Sequence, residues 1–166
     1  MTRINIQAAT NKDIPSIQHI VAISWPATYG KILSAAQLTY MIDLFYSDKA
    51  LTEQMDNGHK FFILWEDQTA MGFIDIEKYS DIACKLHKIY LLPACQGRGY
   101  GKELMDFATG QGRKMGGRLL KLNVNRHNKA LGFYKRMGFT IDETVDNPIG
   151  QGYYMNDYVM IKSLED

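Results

Sequence analysis

Glycine recurs at every second position in one short stretch of the chain, at Gly97, Gly99 and Gly101, between Gln96 and Lys102. Glycines let a backbone turn sharply and expose its N–H groups, and a helix that begins there adds the positive end of its dipole. The stretch therefore predicts an anion-binding turn, with a pyrophosphate as the favoured ligand. The alternative is a strand-to-helix corner that binds nothing.

Two familiar nucleotide motifs do not fit this turn. Its spacing is G-x-G-x-G, whereas dinucleotide-binding turns have G-x-G-x-x-G. Lys102 is followed by Glu103, where a P-loop needs Ser or Thr to bind magnesium. Neither Cys84 nor Cys95 has the spacing typical of a metal ligand, so we expect no metal.

Positive charge is concentrated around the turn. The window from Gly97 to Arg136 contains ten Lys or Arg and two acidic residues, a net charge of +8 in a chain whose total is +1. A solvated basic surface would explain this window, but so would a ligand with several phosphates. Nucleic acid is disfavoured as a partner, because the chain as a whole is not basic.

The rest of the chain predicts one mixed α/β (α+β) domain over residues 1–166. Apolar alternation and turn signals predict strands over 3–8, 60–65, 70–78, 86–92, 118–124, 139–145 and 153–162, the last two joined by a turn at 147–150. Helices are predicted from Thr10 to a stop or bend at Pro26, from Ser34, over 48–57, after the glycine turn, and over 129–137.

Composition favours a cytoplasmic protein. The chain is 46% hydrophobic, enough for one core, yet its longest apolar runs are far too short to cross a membrane. Cys84 and Cys95 lie near the two ends of one predicted strand, too far apart to form a disulfide easily. A reducing compartment is therefore expected.

Two motifs and the order of elements resemble one superfamily. Gln96, Gly99 and Gly101 fill the pattern Q/R-x-x-G-x-G, which resembles the pyrophosphate loop of the GNAT superfamily of acyl-CoA N-acyltransferases. The segment Leu120 to Phe139 resembles the strand–loop–helix of the same superfamily. It departs at Asn128-Lys129-Ala130, one residue shorter than the usual N-x-x-A, so either Asn128 or His127 is left to contact the coenzyme.

The resemblance implies a single GNAT-type domain, with a central, mixed, mostly antiparallel twisted sheet of about seven strands flanked by helices. It also implies acetyl-CoA as co-substrate. The coenzyme residues that it implies are Ile89, Tyr90, Leu91, Gln96, Gly97, Arg98, Gly99, Tyr100, Gly101, Lys102 and Asn128.

The implied reaction is attack of a primary amine on the thioester. Tyr134 matches the tyrosine of the superfamily that lies at the thiolate, where a phenol can act as general acid. The general base is left open between His87, Glu77 and a water chain, because the glutamates that some members use are replaced here by His87 and Asn123.

The resemblance places the acceptor between the first two helices and the last hairpin, which points to Trp25, Tyr29, Tyr153 and Tyr154. Aromatic walls suit a cationic amine, and the segments outside the basic window carry a net charge of about −7. The sequence is similar to small bacterial acetyltransferases, and we expect a small cationic acceptor such as a polyamine. A protein or peptide acceptor, a non-catalytic acyl-CoA sensor and a homodimer are the alternatives left open.

Overall fold

Seven strands form one sheet in the computed structural model, which describes residues 3–165, and their order is β1-β2-β3-β4-β5-β7-β6. The strands are β1 (Ile4–Ala8), β2 (Lys60–Glu66), β3 (Thr69–Lys78), β4 (Ala83–Leu91), β5 (Leu119–Asn125), β6 (Thr140–Gly150) and β7 (Tyr153–Ser163). The helices are α1 (Ile14–Tyr29), α2 (Ala35–Tyr46), α3 (Asp48–Asp56), α4 (Tyr100–Lys114) and α5 (Leu131–Arg136). Among the strands of the described residues, only β4 and β5 pair in parallel, so the predicted mixed and mostly antiparallel sheet is confirmed.

Helix starts follow the capping residues of the sequence. The Thr10 side chain accepts from the backbone N–H of Lys12, and Asp13 accepts from the N–H of Thr10, which forms the predicted capping box ahead of α1. Ser34 accepts from the N–H of Gln37 and caps α2 in the same way.

Pro26 does not stop α1, and the turn predicted over residues 147–150 is wrong. α1 continues through Pro26 to Tyr29. Pro26 cannot donate a backbone hydrogen bond, but it lies in the last turn, where the lost bond disturbs little of the helix. The chain does not turn at Asn147-Pro148-Ile149-Gly150 either, since β6 extends to Gly150. β6 is an edge strand with no neighbouring strand among the described residues on its outer side. The N–H that Pro148 lacks is therefore not needed for a hydrogen bond on that side.

The two faces of the sheet are covered by different helices. α4 packs on one face through Leu104, Met105 and Ala108, all fully buried. α1, α2 and α3 cover the other face, where Ile17 and Phe73 lie in a second apolar cluster. No helix within residues 3–165 is both long and apolar enough to span a bilayer. Both cysteines are free and buried.

β4 separates from β5 along most of its length. Parallel pairing joins Ala83–Lys85 to Leu119–Lys121 and then stops. A bulge accompanies the separation, because Lys88 pairs with Asp75 of β3 and Leu86 pairs with Ile76, which leaves His87 without a partner. A gap therefore opens between the later halves of β4 and β5.

A buried ion pair fixes β4 to β3 beside this bulge. The Lys88 Nζ atom lies 2.7 Å from Asp75 Oδ2 and 2.7 Å from Gln54 Oε1. The Asp75 side chain is fully buried and also hydrogen-bonds to His59 Nδ1, at 2.7 Å. Both partners of the pair have lost their hydration, so the charge of each is compensated mainly by the other.

We expect Lys88→Met to lower the free energy of unfolding by about 3–5 kcal/mol, because the Asp75 carboxylate is left buried without its cation. Lys102→Met is the matched control. It breaks an exposed Lys–Asp pair, with Asp106, and should change stability by about 0–1 kcal/mol. Urea unfolding without ligand measures both. Equal losses in the free energy of unfolding would show that the buried ion pair contributes no more to stability than the exposed one.

Candidate active site

The gap between β4 and β5 is a cavity of about 860 Å³, here called the gap cavity. Ile89, Tyr90 and Leu91 line one side of it, and Leu122, Asn123 and Val124 line the other. Leu92 donates its N–H to Met71 on the β3 side, so alternation along the strand turns the backbone groups of Leu91 and Ile89 towards the gap. These groups can pair with an extended ligand as a neighbouring strand would.

The glycine turn closes one end of the gap cavity. Gly97 and Gly99 have φ values of 77° and 79°, in the left-handed region that favours glycine. The N–H groups of Gln96 and Arg98 bind carbonyls within the turn. Those of Gly97, Gly99, Tyr100, Gly101 and Lys102 have no backbone acceptor among the described residues. Five free donors at the start of α4 form a site for an anion.

The charge of the gap cavity is positive. Four cationic residues line it: Lys31, Lys102, Lys129 and Arg136. No acidic residue lines it within residues 3–165. Lys31 was missed by sequence reasoning, because it lies just after α1, far along the chain from the glycine turn. No local pattern links the two.

Arg98 lies apart from the other residues predicted to bind the coenzyme, since it is absent from the cavity wall. Its guanidinium pairs with Glu66 of β2 and lies 4.7 Å from the centre of the Tyr100 ring. The Tyr100 hydroxyl donates to the same carboxylate, at 2.7 Å. Arg98 therefore ties the turn to β2 rather than lining the cavity.

Both residues left open for the coenzyme contact line the gap cavity. His127 is exposed, and its N–H donates to Asn125 Oδ1, at 2.9 Å. The Asn128 side chain accepts from the N–H of Ala130, at 2.8 Å, and so organises the start of α5. The geometry allows either one to reach a ligand.

Tyr134 of α5 is buried and lines the gap cavity. Its ring packs edge-on against Phe133 and Phe139, with centroids 5.6 and 6.1 Å apart. Burial, and secondarily the nearby Tyr29, raises the pKa of Tyr134 well above its usual value. The phenol therefore keeps its proton at neutral pH and can donate it.

His87, on the β4 bulge, is the base candidate that reaches the cavity. Its Nε2 lies 2.8 Å from Glu77 Oε1, and its ring stacks on His59 with centroids 4.3 Å apart. Glu77 itself lines neither this cavity nor the next. Burial lowers the pKa of His87, so the ring is neutral at pH 7. With Nε2–H donated to Glu77, Nδ1 keeps its lone pair for a proton.

Donor atoms of His59, Glu77 and His87 lie within 4.8 Å of one another. That spacing is short enough for a metal ion, so the expectation that the protein uses no metal stays a prediction.

A second cavity of about 270 Å³, here called the side cavity, lies between α1, α2 and the β6–β7 hairpin. It shares Tyr29, His87, Tyr90 and Asn123 with the gap cavity. Three of the four predicted acceptor residues, Trp25, Tyr29 and Tyr154, line it.

The fourth predicted acceptor residue, Tyr153, does not line the side cavity. Its ring packs instead against Tyr40, with centroids 5.3 Å apart. The Tyr40 hydroxyl donates to the Ile149 carbonyl, at 2.6 Å, so this contact anchors the hairpin to α2.

Asp157 of β7 also lines the side cavity, and sequence reasoning missed it. It is 3% exposed, and its Oδ2 atom has no hydrogen-bond partner among the described residues. Burial raises the pKa of this carboxyl. The only sequence signal was an acidic residue within an aromatic strand, Tyr153 to Tyr158, which alone indicates an exposed face as readily.

Known proteins resemble this chain in sequence and in fold. The family model of the acetyltransferase (GNAT) domain matches residues 33–152. A spermidine N(1)-acetyltransferase of Thermoplasma acidophilum is 29% identical over 147 residues, which are 85% of this chain and 91% of that protein. An uncharacterised N-acetyltransferase of Lactobacillus delbrueckii subsp. lactis is 29% identical over 149 residues, 84% of this chain and 86% of the relative.

Among solved structures, the PaiA N-acetyltransferase of Thermoplasma acidophilum in complex with coenzyme A superposes with a TM-score of 0.84. The two sequences are 26% identical, and the match covers 97% of this chain and 99% of that one. The family match covers well over half of the chain, from residue 33 to residue 152. The chain belongs to the GNAT family of N-acetyltransferases.

Proposed function

We propose that the protein transfers an acetyl group from acetyl-CoA to a small cationic amine such as a polyamine. One observation carries the proposal: the cationic gap cavity and the aromatic side cavity meet at four shared residues, Tyr29, His87, Tyr90 and Asn123. Two substrates that enter from different sides would meet there.

We also propose that residues 1–166 are a single acetyltransferase domain. A cytoplasmic location, the lack of a nucleic-acid partner and a possible homodimer stay predictions.

Acetyl-CoA fits the gap cavity by charge and by shape. The free N–H groups from Gly97 to Lys102 suit its pyrophosphate, and the surrounding cations suit its phosphates. Ile89 and Leu91 offer free backbone groups to its amide-containing arm, and Tyr90 packs behind them. Asn128 or His127 would hold the arm from the β5 side.

The residues at the junction suit direct transfer. His87 Nδ1 would take a proton from the amine as its nitrogen bonds to the acetyl carbon, and Glu77 would orient the ring. The backbone of β4 would stabilise the negative charge that forms on the carbonyl oxygen. As the carbon–sulfur bond breaks, the Tyr134 hydroxyl would donate its proton to the sulfur. Net, the amine loses one proton and the thiol gains one.

A cationic acceptor is supported by the aromatic walls of the side cavity and by the relative named as a spermidine acetyltransferase.

Release of free thiol from acetyl-CoA, measured with a panel of polyamines, aminoglycosides, amino acids and peptides, tests the proposal. Turnover restricted to peptides would contradict the small-amine acceptor, and no turnover with any amine would contradict the reaction.

Gly99→Ala should raise the dissociation constant for acetyl-CoA at least about tenfold. Its φ of 79° strains any side chain, although a Cβ there would meet no atom within 4 Å. Gly110→Ala is the matched control, since Gly110 lies inside α4 with equally open space and no positive φ. Calorimetry measures both, and equal affinity of the folded Gly99→Ala protein would remove the anion-binding turn from the proposal.

Tyr134→Phe should fold, bind acetyl-CoA nearly as well as the wild type, and lose about ten- to a thousandfold in turnover, because only the donated proton is removed. Tyr79→Phe, at an exposed tyrosine outside both cavities, is the control and should be fully active. Thiol release at saturating substrates measures the effect. Full activity of Tyr134→Phe would assign Tyr134 a packing role.

The turnover number at saturating amine should be constant above about pH 6.5 and fall at lower pH. The reason is that the pKa of His87 is lowered from the usual histidine value, so the ring takes up a proton and stops acting as a base only below that value. Burial lowers the pKa of His87 most, His59 and Lys88 lower it further, and Asp75 and Glu77 oppose them. His87→Gln should be slow and lose this acid limb. The same acid limb in His87→Gln would assign it to another group.

A further inference from the structure

Asp157 is the single acidic residue that lines the side cavity within the described part of the chain. Its carboxylate is almost completely buried, its Oδ2 has no hydrogen-bond partner there, and none of the salt bridges within residues 3–165 includes it. Leaving a buried charge unpaired is unfavourable, and native proteins rarely do so without a ligand or a catalytic use for the group. A missing cationic partner is therefore indicated.

The nearby cations of the protein do not fill this place. Lys88 is engaged by Asp75 and Gln54. The guanidinium of Arg126 binds the Val145 carbonyl, at 3.1 Å, and Asp146, at 2.7 Å. Lys85 lines the same cavity, and its charge lowers the pKa of Asp157 against the rise that burial causes, but none of the salt bridges within residues 3–165 joins the two. The place beside the carboxylate is thus left for a cation from outside the chain.

Apart from Lys85 and Lys88, the walls of the side cavity suit an ammonium group. Trp25 lies at the centre of an aromatic group, with ring centroids 4.9 Å from Tyr29, 5.3 Å from Tyr46 and 5.6 Å from Tyr90. Aromatic faces attract cations, and they exclude the water that would weaken an ion pair.

The position of Asp157 also indicates which nitrogen it binds. The reacting nitrogen must be neutral and must lie at the junction of the cavities, near His87. Asp157 lines only the side cavity, beyond that junction. A carboxylate favours the charged form of an amine beside it, which would hinder the reacting nitrogen but suits one that does not react.

We propose that Asp157 binds the non-reacting ammonium group of the acceptor and so selects amines with two cationic nitrogens, diamines and polyamines. This inference rests on the proposed acetyl transfer to a small amine. It makes Asp157 a specificity-determining residue, with no part in the bond-breaking steps.

Asp157→Asn tests the inference with two acceptors of equal chain length, 1,4-diaminobutane and n-butylamine. We expect kcat/KM for the diamine to fall about ten- to a hundredfold, the usual range for a hydrogen bond to a charged group. The value for the monoamine should change by less than about threefold, since it has no second cation. Asp142→Asn, which removes an exposed carboxylate from β6, is the matched control and should change neither.

A second measurement is independent of turnover. Calorimetry with 1,4-diaminobutane, in the presence of coenzyme A, should give weaker binding to Asp157→Asn than to wild type. Equal losses with both amines would assign Asp157 to the reacting nitrogen or to folding, and equal diamine binding by both proteins would likewise overturn the inference. Absence of turnover in wild type, with diamine binding that still depends on Asp157, would contradict the proposed reaction but leave this inference standing.

Discussion

The unpaired border between β4 and β5 is the constraint on which the rest of the site depends. Backbone N–H and C=O groups inside a protein need partners, and in this sheet they lose them once pairing stops after Lys85 and Lys121. The gap cavity is the result, and it leaves strand-like backbone free to bind an extended ligand. The bulge at His87 and the buried Asp75–Lys88 pair hold β4 in this diverging path.

The bulge also explains how the side chains at the junction come together. Residues next to each other on a strand normally point to opposite faces of the sheet. At the bulge, however, His87 reaches Glu77 and Lys88 reaches Asp75, which are two residues apart on β3 and so share one face. The bulge therefore places the His87 ring at the junction of both cavities and the Asp75–Lys88 ion pair next to it along β4.

The two cavities differ in the charged groups that line them. The gap cavity has cations and free N–H groups but no acid among its described lining residues, which suits a phosphorylated coenzyme. The side cavity has aromatic rings and the lysines Lys85 and Lys88, of which Lys88 is paired with Asp75. It also has one carboxylate, Asp157, whose Oδ2 has no hydrogen-bond partner among the described residues, and this group suits an amine. The hairpin of β6 and β7 forms one wall of the side cavity, and a hydrogen bond from the Tyr40 hydroxyl ties this hairpin to α2.

The sequence by itself determined the features that depend on neighbouring residues: the glycine turn, the caps at Thr10 and Ser34, the order of strands and helices, and the family. Only the tertiary structure decided which distant residues meet. It brought Lys31 to the gap cavity, paired Arg98 with Glu66 and turned Tyr153 away from the acceptor side. It also buried Asp157 with its Oδ2 lacking a hydrogen-bond partner among the described residues. The reason is physical. A turn or a cap is specified by the backbone conformations of a few adjacent residues, whereas strand register, a bulge and the divergence of two strands depend on packing across the whole sheet.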